Sequence, residues 1–364
     1  MNKKTIIISG GGTGGHIFPA IEIAKAFQRK HPNINIIFVG ASQKMEMIKV
    51  PKAGFYIIGL WIQGLYRNSF LKNILFPIKL AVSLLQSLFI LIYYWPDSVI
   101  GTGGFASGPI LFMASLLGFK TYIQEQNYFA GLTNKILSNR VDKIFVAYDG
   151  MDKFFPKNKI FKFGNPVRHS LKTTQDNSIS RKFFGLTPHK FTILVIGGSL
   201  GAEPINKSIS NTLSYLLQYD YQFIWQTGYR DYVSYVNLKS KNVSIHKFID
   251  RMDLAYAASD IVISRAGAIA ISELSFLKKP SILIPSPYVA NDHQAENARY
   301  LQRNDACIFI KENKLNSQIL IDSIDKMQDS SFRNQIGFNA ERLFNYNAAD
   351  KIVETILIDM FNVK

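Results

Sequence analysis

The sequence predicts an α/β protein built from two doubly wound parallel sheets. Short runs of β-branched and other apolar residues alternate with helical patterns along most of the chain, which is typical of βαβ units. A strand followed by a glycine-rich turn occurs twice, at Thr5–Gly15 and at Phe191–Ala202, with the two turns about 187 residues apart. The 364 residues are also enough for two domains.

The first of these turns reads Gly-Gly-Gly-Thr-Gly-Gly-His from Gly10 to His16 and joins a predicted strand to a predicted helix. Glycines at such a turn permit positive φ and let backbone N–H groups approach an anion closely. The turn also fits the dinucleotide pattern G-x-G-x-x-G. However, the second predicted strand, Ile34–Val39, is not followed by the carboxylate that such sites use, which disfavours NAD. The imidazole of His16 is therefore a candidate for chemistry on a different ligand.

Further strand-to-helix turns continue this pattern. A second glycine-rich turn, Gly101–Gly108, follows one predicted strand, and the polar segment Glu125–Asn127 follows the next. The pattern breaks at a Gly-Asn-Pro turn, Gly164–Pro166, where we place the domain boundary, and it restarts at Phe191. Ligands of such sheets bind at the carboxyl ends of the strands, so we expect a binding cleft between the two domains. Strands are predicted over residues 5–8, 34–39, 98–100, 121–123, 141–147, 191–196, 221–225, 243–248, 261–263 and 281–285.

Composition restricts the partners. The formal net charge of +16 points to an anionic partner, such as a phosphorylated substrate or an acidic membrane surface. The basic residues are scattered and form no nucleic-acid motif, so we expect no nucleic acid. Cys307 is the only cysteine, which excludes an internal disulfide and a multi-cysteine metal site. Too few apolar residues precede Gly10 for a signal peptide, so we expect a cytoplasmic protein.

One apolar stretch, Ile74–Trp95, predicts contact with a membrane surface. Only eight residues follow its last polar pair, Gln86 and Ser87, which is too few for a helix that spans a bilayer. On a helix its polar residues share one stripe of roughly 100°, and the rest of the circumference is apolar. A single core face cannot cover so wide an apolar arc, so we expect peripheral binding through the N-terminal end of this helix. The polar stripe consists of Lys72, Lys79, Ser83, Gln86 and Ser87.

Taken together, these motifs resemble those of the MurG family of peptidoglycan N-acetylglucosaminyltransferases, in glycosyltransferase family 28. The resemblance covers nearly the whole chain. The segments that carry it are Gly10–His16, Gly101–Gly108, Glu125–Asn127, Gly164–Arg168, Gly197–Ala202 and Ser264–Ala268.

The resemblance implies a GT-B fold, in which two Rossmann-like domains face each other across a cleft and a C-terminal helix returns to the first domain. Residues 1–164 with 345–364 would face the acceptor and the membrane, and residues 165–344 would bind the UDP-sugar donor. The implied reaction is inverting transfer of N-acetylglucosamine from UDP-N-acetylglucosamine to the C4 hydroxyl of undecaprenyl-pyrophosphoryl-muramyl-pentapeptide, with no cofactor and no catalytic metal. The enzyme would be peripheral, at the cytoplasmic face of the cell membrane and on its anionic surface.

Chemistry and resemblance together indicate the site residues. His16 is the expected general base, because a largely neutral imidazole at a helix start can accept the proton of the acceptor hydroxyl. Glu125 is the alternative base. Ser199 would hold the diphosphate, Arg168 would neutralise a phosphate or orient the sugar, and Glu273 would accept the ribose hydroxyls. The residues expected to bind UDP-N-acetylglucosamine are Thr13, Gly14, Gly15, Asn127, Arg168, Ser199, Ile249, Ala268, Ile269, Ala270, Ile271, Ser272, Glu273 and Gln294.

Two residues depart from the family pattern. Gln124 stands where many members have His, and Phe105 where many have Tyr, both on the acceptor side. Two other functions remain open. One is a UDP-N-acetylglucosamine 2-epimerase of the same fold, which would need no lipid acceptor and would leave the apolar helix without a purpose. The other is a sugar-nucleotide-binding scaffold that has lost catalysis, against which the presence of His16 argues.

Overall fold

The computed structural model describes residues 4–65, 70–173, 175–198, 201–289 and 292–361. The chain divides into two compact units: unit 1 is Met1–Val167 with Asn345–Lys364, and unit 2 is Arg168–Phe344. Each unit contains a parallel sheet with helices packed against it. The predicted α/β class, with two doubly wound sheets, is confirmed.

In the described residues of unit 1, seven parallel strands form the sheet. They are β1 (Thr5–Ser9), β2 (Asn35–Ala41), β3 (Tyr56–Leu60), β4 (Ser98–Gly101), β5 (Lys120–Glu125), β6 (Lys143–Val146) and β7 (Ile160–Lys162). The helices are α1 (Gly14–Lys30), α2 (Glu46–Lys52), α3 (Phe70–Asn73), α4 (Phe76–Tyr94), α5 (Ser107–Leu116) and α6 (Leu132–Leu137). The strand order is β3-β2-β1-β4-β5-β6-β7, so the turns after β1, β4 and β5 lie side by side at one edge of the sheet.

The described part of unit 2 has a six-stranded parallel sheet of order β10-β9-β8-β11-β12-β13. Its strands are β8 (Thr192–Ile196), β9 (Gln222–Gln226), β10 (Val243–His246), β11 (Ile261–Ser264), β12 (Ser281–Leu283) and β13 (Ile308–Phe309). Its helices are α7 (Asn177–Phe183), α8 (Glu203–Gln218), α9 (Tyr232–Tyr235), α10 (Met252–Ala258), α11 (Ala268–Phe276), α12 (His293–Gln302), α13 (Ser317–Lys326) and α14 (Ser330–Arg342). Along β8, Leu194 and Ile196 join the core on one face of the sheet, and Ile193 and Val195 join the core on the other.

The last helix, α15 (Ala348–Phe361), returns the end of the chain to unit 1. Ile352, Val353 and Ile356 are fully buried in the core that α1 shares with β1. Near its end, Asp359 pairs with Lys143 at 2.6 Å and accepts a hydrogen bond from the hydroxyl of Tyr122 at 2.9 Å. The helix therefore belongs to unit 1 by both apolar and polar contacts.

Helix α4 turns two serines of its polar stripe inward. Ser83 and Ser87 are fully buried, and their hydroxyls donate to carbonyls of α4 itself, those of Leu80 and Ser83. The helix packs against α5 and β3 and leaves an apolar face in solvent. Among the described residues, α4 alone has the length and apolar composition of a membrane span. More than half of the surface is exposed at Ile78, Leu85, Phe89 and Ile92.

A buried ionic cluster ties α7 to the sheet of unit 2. Arg181, which is 5% exposed, pairs with Asp260, with 2.6 Å between Nη2 and Oδ2. The ammonium of Lys279 lies beside this pair and donates to the carbonyl of Ser259 at 2.6 Å. Burial lowers the pKa of Lys279 to about 8, an effect that Asp260 opposes and Arg181 reinforces.

This lowered pKa predicts a pH dependence of folding. Below about pH 8, Lys279 is charged in both states and the folded protein carries the full cost of the buried ammonium. Between about pH 8 and 10.5 the folded protein releases that proton while the unfolded chain keeps it, so the contribution of Lys279 to the free energy of unfolding rises with pH. Lys279→Met removes this contribution. Its free energy of unfolding relative to the unmodified protein should therefore fall steadily from pH 8 to 10.5.

Urea denaturation across this pH range measures the difference. Lys207→Met, at an exposed lysine of α8, controls for the loss of a lysine without a buried ammonium. A difference between Lys279→Met and the unmodified protein that stays constant with pH would contradict the prediction.

Candidate functional site

In unit 1, the turns that follow β1 and β4 touch each other. The N–H of Gly11 donates to the carbonyl of Gly103 at 3.4 Å, and the hydroxyl of Thr102 donates to the carbonyl of His16 at 2.8 Å. A Cβ on Gly104, whose φ is +81°, would lie 2.3 Å from the carbonyl oxygen of Gly11. The two backbones can meet this closely only because Gly104 has no side chain.

The imidazole of His16 lies between these two turns. Its Nδ1 is 3.1 Å from the carbonyl oxygen of Gly11 and 3.2 Å from the hydroxyl of Thr13. Because a carbonyl can only accept, Nδ1 carries the proton of the neutral ring and Nε2 carries the lone pair. The ring also lies against Gly103, where a Cβ would be 3.3 Å from Nε2. These contacts orient the ring, and the carbonyl beside Nδ1 assigns the proton of the neutral ring to that nitrogen.

A buried carboxylate occupies part of the first glycine turn. Glu46, the first residue of α2, is fully buried and accepts hydrogen bonds from the N–H groups of Gly12 and Ala41, both at 3.0 Å. The N–H of Gly12 thus has a partner within the protein. Gly14 and Gly15 begin α1, where backbone N–H groups lack partners within the helix and are suited to a ligand.

Glu125 organises the loop after β5. It is 1% exposed, and its Oε1 accepts hydrogen bonds from the backbone and side-chain amides of Asn127 at 3.0 and 3.2 Å. Its Oε2 accepts from the N–H of Gly131 at 2.9 Å and from the amide of Asn134 at 2.8 Å. Four donors therefore face this carboxylate, which disfavours Glu125 as the alternative base. The same contacts fix the position of Asn127.

Gln124, one of the two departures from the family pattern, lies in a buried amide network. Its Nε2 donates to Oδ1 of Asn165 at 2.9 Å, and Nδ2 of Asn165 donates to the carbonyl of Gln126 at 3.0 Å. The amide of Gln126 in turn donates to the carbonyl of Thr102 at 2.7 Å. Gln124 thus connects the end of β5 to the second glycine turn. The other departure, Phe105, packs its ring against the first glycine turn.

In unit 2, a cavity of about 630 Å³ opens at the carboxyl ends of β8 and β11. The glycine turn after β8 forms one wall, and the residues before α11 and α12 form the others. Of the predicted donor-binding residues, Ala270 and Gln294 line it, and Oε1 of Gln294 accepts a hydrogen bond from the N–H of Ser286 at 3.0 Å. Ser199 lies outside the described residues. A cavity of this size is typical of sites for small molecules.

Glu273 lies inside unit 2 and is not among the residues that line the cavity. It is 2% exposed; its Oε1 is 3.1 Å from Nε of Arg168, and its Oε2 accepts a hydrogen bond from the hydroxyl of Tyr256 at 3.0 Å. Burial and the charge of Glu273 raise the pKa of Tyr256, so its hydroxyl remains a donor. The structure thus brings two predicted site residues, Arg168 and Glu273, into one ion pair.

The other predicted residues of unit 2 are Ile249 and the first residues of α11, and most of their side chains are buried. Ile249 is 3% exposed and its N–H donates to Gln226 at 2.8 Å, while the amide of Gln226 donates to the carbonyl of Gly198 at 2.9 Å. From Ala268 to Ser275 the side chains of α11 other than that of Ala270 are buried, and the hydroxyl of Ser272 donates to the carbonyl of Ala268. Buried apolar side chains of α11 also include Ile269 and Ile271.

The structure adds two charged residues that the sequence reasoning missed. Arg265 lines the cavity, donates from Nη1 to the carbonyls of Ile284 and Pro285, and pairs with Glu312. Arg230 lines the same cavity from the loop after β9. Gly228 follows the predicted strand 221–225 and marks a third turn at the same edge of the sheet. The sequence could therefore have indicated that the nearby Arg230 lies at this edge.

Comparison with known proteins identifies the family of this chain. Residues 6–146 match the glycosyltransferase family 28 N-terminal domain, and residues 192–352 match the C-terminal domain of the same family. Relatives from Flavobacterium psychrophilum and Parabacteroides distasonis are 47% and 46% identical over 98% of both chains. Both are named UDP-N-acetylglucosamine–N-acetylmuramyl-(pentapeptide) pyrophosphoryl-undecaprenol N-acetylglucosamine transferase.

Solved structures agree. MurG of Acinetobacter baumannii matches with a TM-score of 0.76 at 25% identity, over 97% of this chain and 99% of that chain. A putative UDP-N-acetylglucosamine 2-epimerase from Listeria monocytogenes matches with a TM-score of 0.72 at 12% identity, over 100% and 98%, a likeness of fold alone. The chain therefore belongs to glycosyltransferase family 28 and, within it, to the family of MurG-type N-acetylglucosamine transferases.

Proposed function

We propose that this protein transfers N-acetylglucosamine from UDP-N-acetylglucosamine to the C4 hydroxyl of undecaprenyl-pyrophosphoryl-N-acetylmuramyl-pentapeptide, with inversion, in peptidoglycan synthesis. The observation that carries the proposal is the identity of 46–47% over 98% of the chain with two transferases named for this reaction. The alternative of a 2-epimerase has only a likeness of fold in its favour. The alternative of an inactive scaffold is disfavoured by the ordered imidazole of His16.

In this proposal His16 is the general base on the acceptor. Nε2 takes the proton of the C4 hydroxyl while its oxygen attacks the anomeric carbon of the donor, and the bond from that carbon to the diphosphate breaks as UDP leaves. The hydrogen bond from Nδ1 to the carbonyl of Gly11 holds the correct tautomer and stabilises the imidazolium that forms. A positioned base of this kind contributes about 10²–10⁴-fold to the rate.

His16→Ala should therefore lower kcat by at least about 100-fold and leave the affinity for UDP within a few-fold. Turnover with the lipid-linked acceptor and calorimetric titration with UDP, on the same folded variant, measure the two effects. His31→Ala, at the other end of α1, is the matched control and should keep full turnover. If His16→Ala keeps its turnover, or loses UDP affinity to the same extent, His16 is not the base and Glu125→Gln becomes the next variant to test.

The donor, in the same proposal, binds mainly to unit 2. The diphosphate lies at the glycine turn before α8, where Ser199 and helix N–H groups can hold it, and Arg168 offsets its charge. The ribose hydroxyls donate to Glu273 on the side of the carboxylate that now faces Arg168. The other contacts are proposed for Thr13, Gly14, Gly15, Asn127, Ile249, Ala268, Ile269, Ala270, Ile271, Ser272 and Gln294.

Glu273→Gln should weaken UDP binding by about 10- to 150-fold, because a hydrogen bond to a charged group is worth about 1.5–3 kcal/mol. The free energy of unfolding should fall as well, since Arg168 loses its carboxylate partner. Titration with UDP and urea denaturation separate the two effects. Glu341→Gln makes the same change in another ion pair of unit 2, that with Lys278, and should leave UDP binding unchanged. Unchanged UDP affinity in folded Glu273→Gln would remove Glu273 from the donor site.

We further propose that α4 binds the anionic cytoplasmic surface of the cell membrane without spanning it. The supporting observations are the exposed apolar face of α4 and the net charge of +16. Lys79 lies at the edge of this face, with its ammonium 2.7 Å from Oε1 of Gln63. Of the other basic residues near the start of the helix, Arg67 lies outside the described residues. Apolar area and basic residues act together in such binding, with about 1 kcal/mol from each cation near the surface.

Replacing Ile74 and Ile78 by Ser should weaken binding to acidic vesicles, because both side chains are more than half exposed at the start of α4. Sedimentation with acidic and neutral vesicles at low and high salt measures the binding, which should be stronger on acidic vesicles and fall with salt. Ile358→Ser, at an equally exposed isoleucine of α15, is the control. If the unmodified protein binds both vesicle types equally, the positive charge has another use. If the double variant binds acidic vesicles as strongly as the unmodified protein, the start of α4 is not the membrane-binding surface.

A further inference from the structure

The loop after β9 presses against the glycine turn after β8. A Cβ on Gly201, whose φ is +86°, would lie 2.2 Å from the carbonyl oxygen of Thr227 and 3.3 Å from Cα of Gly228. This loop continues to Arg230, which lines the 630 Å³ cavity together with the glycine turn itself. The position of Arg230 is thus tied to the turn where a helix N-terminus can hold an anion.

A buried polar chain fixes the base of Arg230. Nε1 of Trp225 donates to Asn206 at 2.9 Å, and the amide of Asn206 donates to Oδ2 of Asp231 at 3.0 Å. Nε of Arg230 then donates to Oδ1 of Asp231 at 2.7 Å. Trp225 and Asn206 are fully buried, whereas the side chain of Arg230 is 65% exposed. A fully buried anchor therefore positions a guanidinium whose outer edge is open to a ligand.

The guanidinium of Arg230 has a firmly held partner in Asp231 and a weakly held one in Glu203, so it can exchange Glu203 for a ligand. Asp231 holds the guanidinium side-on, with Nε donating to Oδ1 at 2.7 Å and Nη2 donating to Oδ2 at 3.4 Å. Nη2 is also 3.8 Å from Oε2 of Glu203, which is longer than a hydrogen bond. Glu203 is the first residue of α8 and is 71% exposed, so its carboxylate is held only weakly. In contrast, Arg265, the other arginine that lines the cavity, is committed to two carbonyls and a buried carboxylate.

We infer that Arg230 binds a phosphate oxygen of the donor's diphosphate, exchanging its long contact with Glu203 for one with the ligand. The inference rests on the proposed function, because it takes the cavity to be the sugar-nucleotide site. The guanidinium matches phosphate with its planar donors, and the contact with Asp231 orients the fork before the ligand arrives. Glu203 repels the same diphosphate, so Arg230 and Glu203 act on donor binding in opposite directions.

Calorimetric titration of the full chain with UDP and with uridine tests this inference. Arg230→Gln should weaken UDP binding by about 10-fold or more and leave uridine binding unchanged, since uridine has no phosphate. Glu203→Gln should strengthen UDP binding by about two- to five-fold, because a like charge near the phosphates is removed. Arg303→Gln, at an exposed arginine that follows α12, is the charge-matched control and should bind both ligands as the unmodified protein does.

The possible results distinguish a failure of this inference from a failure of the proposed function. If the unmodified protein binds UDP and Arg230→Gln binds it equally well, Arg230 is not a phosphate ligand. An equal loss of UDP and uridine binding would also overturn the inference, because it would mean that the loop has been distorted. If the folded, unmodified protein binds no UDP, the proposed function fails together with the inference.

Discussion

In each unit, the candidate site depends on backbone turns that approach each other more closely than a side chain at their glycines would allow. In unit 1 a Cβ on Gly104 would lie 2.3 Å from the carbonyl oxygen of Gly11, and in unit 2 a Cβ on Gly201 would lie 2.2 Å from that of Thr227. Each of these glycines also has a positive φ. The same glycine turns position His16 in unit 1 and the Arg230 loop in unit 2, so both depend on a residue without a side chain.

In unit 1, buried carboxylates hold the first glycine turn and the loop after β5 in place. Glu46 and Glu125 are almost entirely buried, and each accepts hydrogen bonds from backbone N–H groups of the loops around it. Burying a charge is costly unless donors surround it, and here the donors are groups of the adjacent loops. The energy of these bonds therefore fixes the loop geometry, which supports binding without reorganisation when a ligand arrives.

The sequence predicted the architecture more completely than the site. Ten strands were predicted from apolar runs and the turns that follow them, whereas β3, β7 and β13 were missed; β7 and β13 are only three and two residues long. Residue types at strand ends indicated candidate site residues but not the partners of those residues. Nothing near Glu273 in the sequence indicates Arg168, and the four donors around Glu125 become visible only when the loop to Asn134 is folded.

Helix α4 shows why a polar stripe does not by itself tell which face of a helix is exposed. The sequence indicates a wide apolar arc, but the buried side of the helix is the polar one, because the hydroxyls of Ser83 and Ser87 donate to carbonyls of the helix itself. Because these serines are small and form hydrogen bonds within their own helix, α4 can pack closely on α5 and β3 without polar partners on those elements. Large apolar residues such as Phe89, 69% exposed, are then left outward, where water is a poor environment for a continuous patch. In the membrane contact proposed above, this apolar face would lie at the boundary between the lipid headgroups and the acyl chains, which would remove it from water.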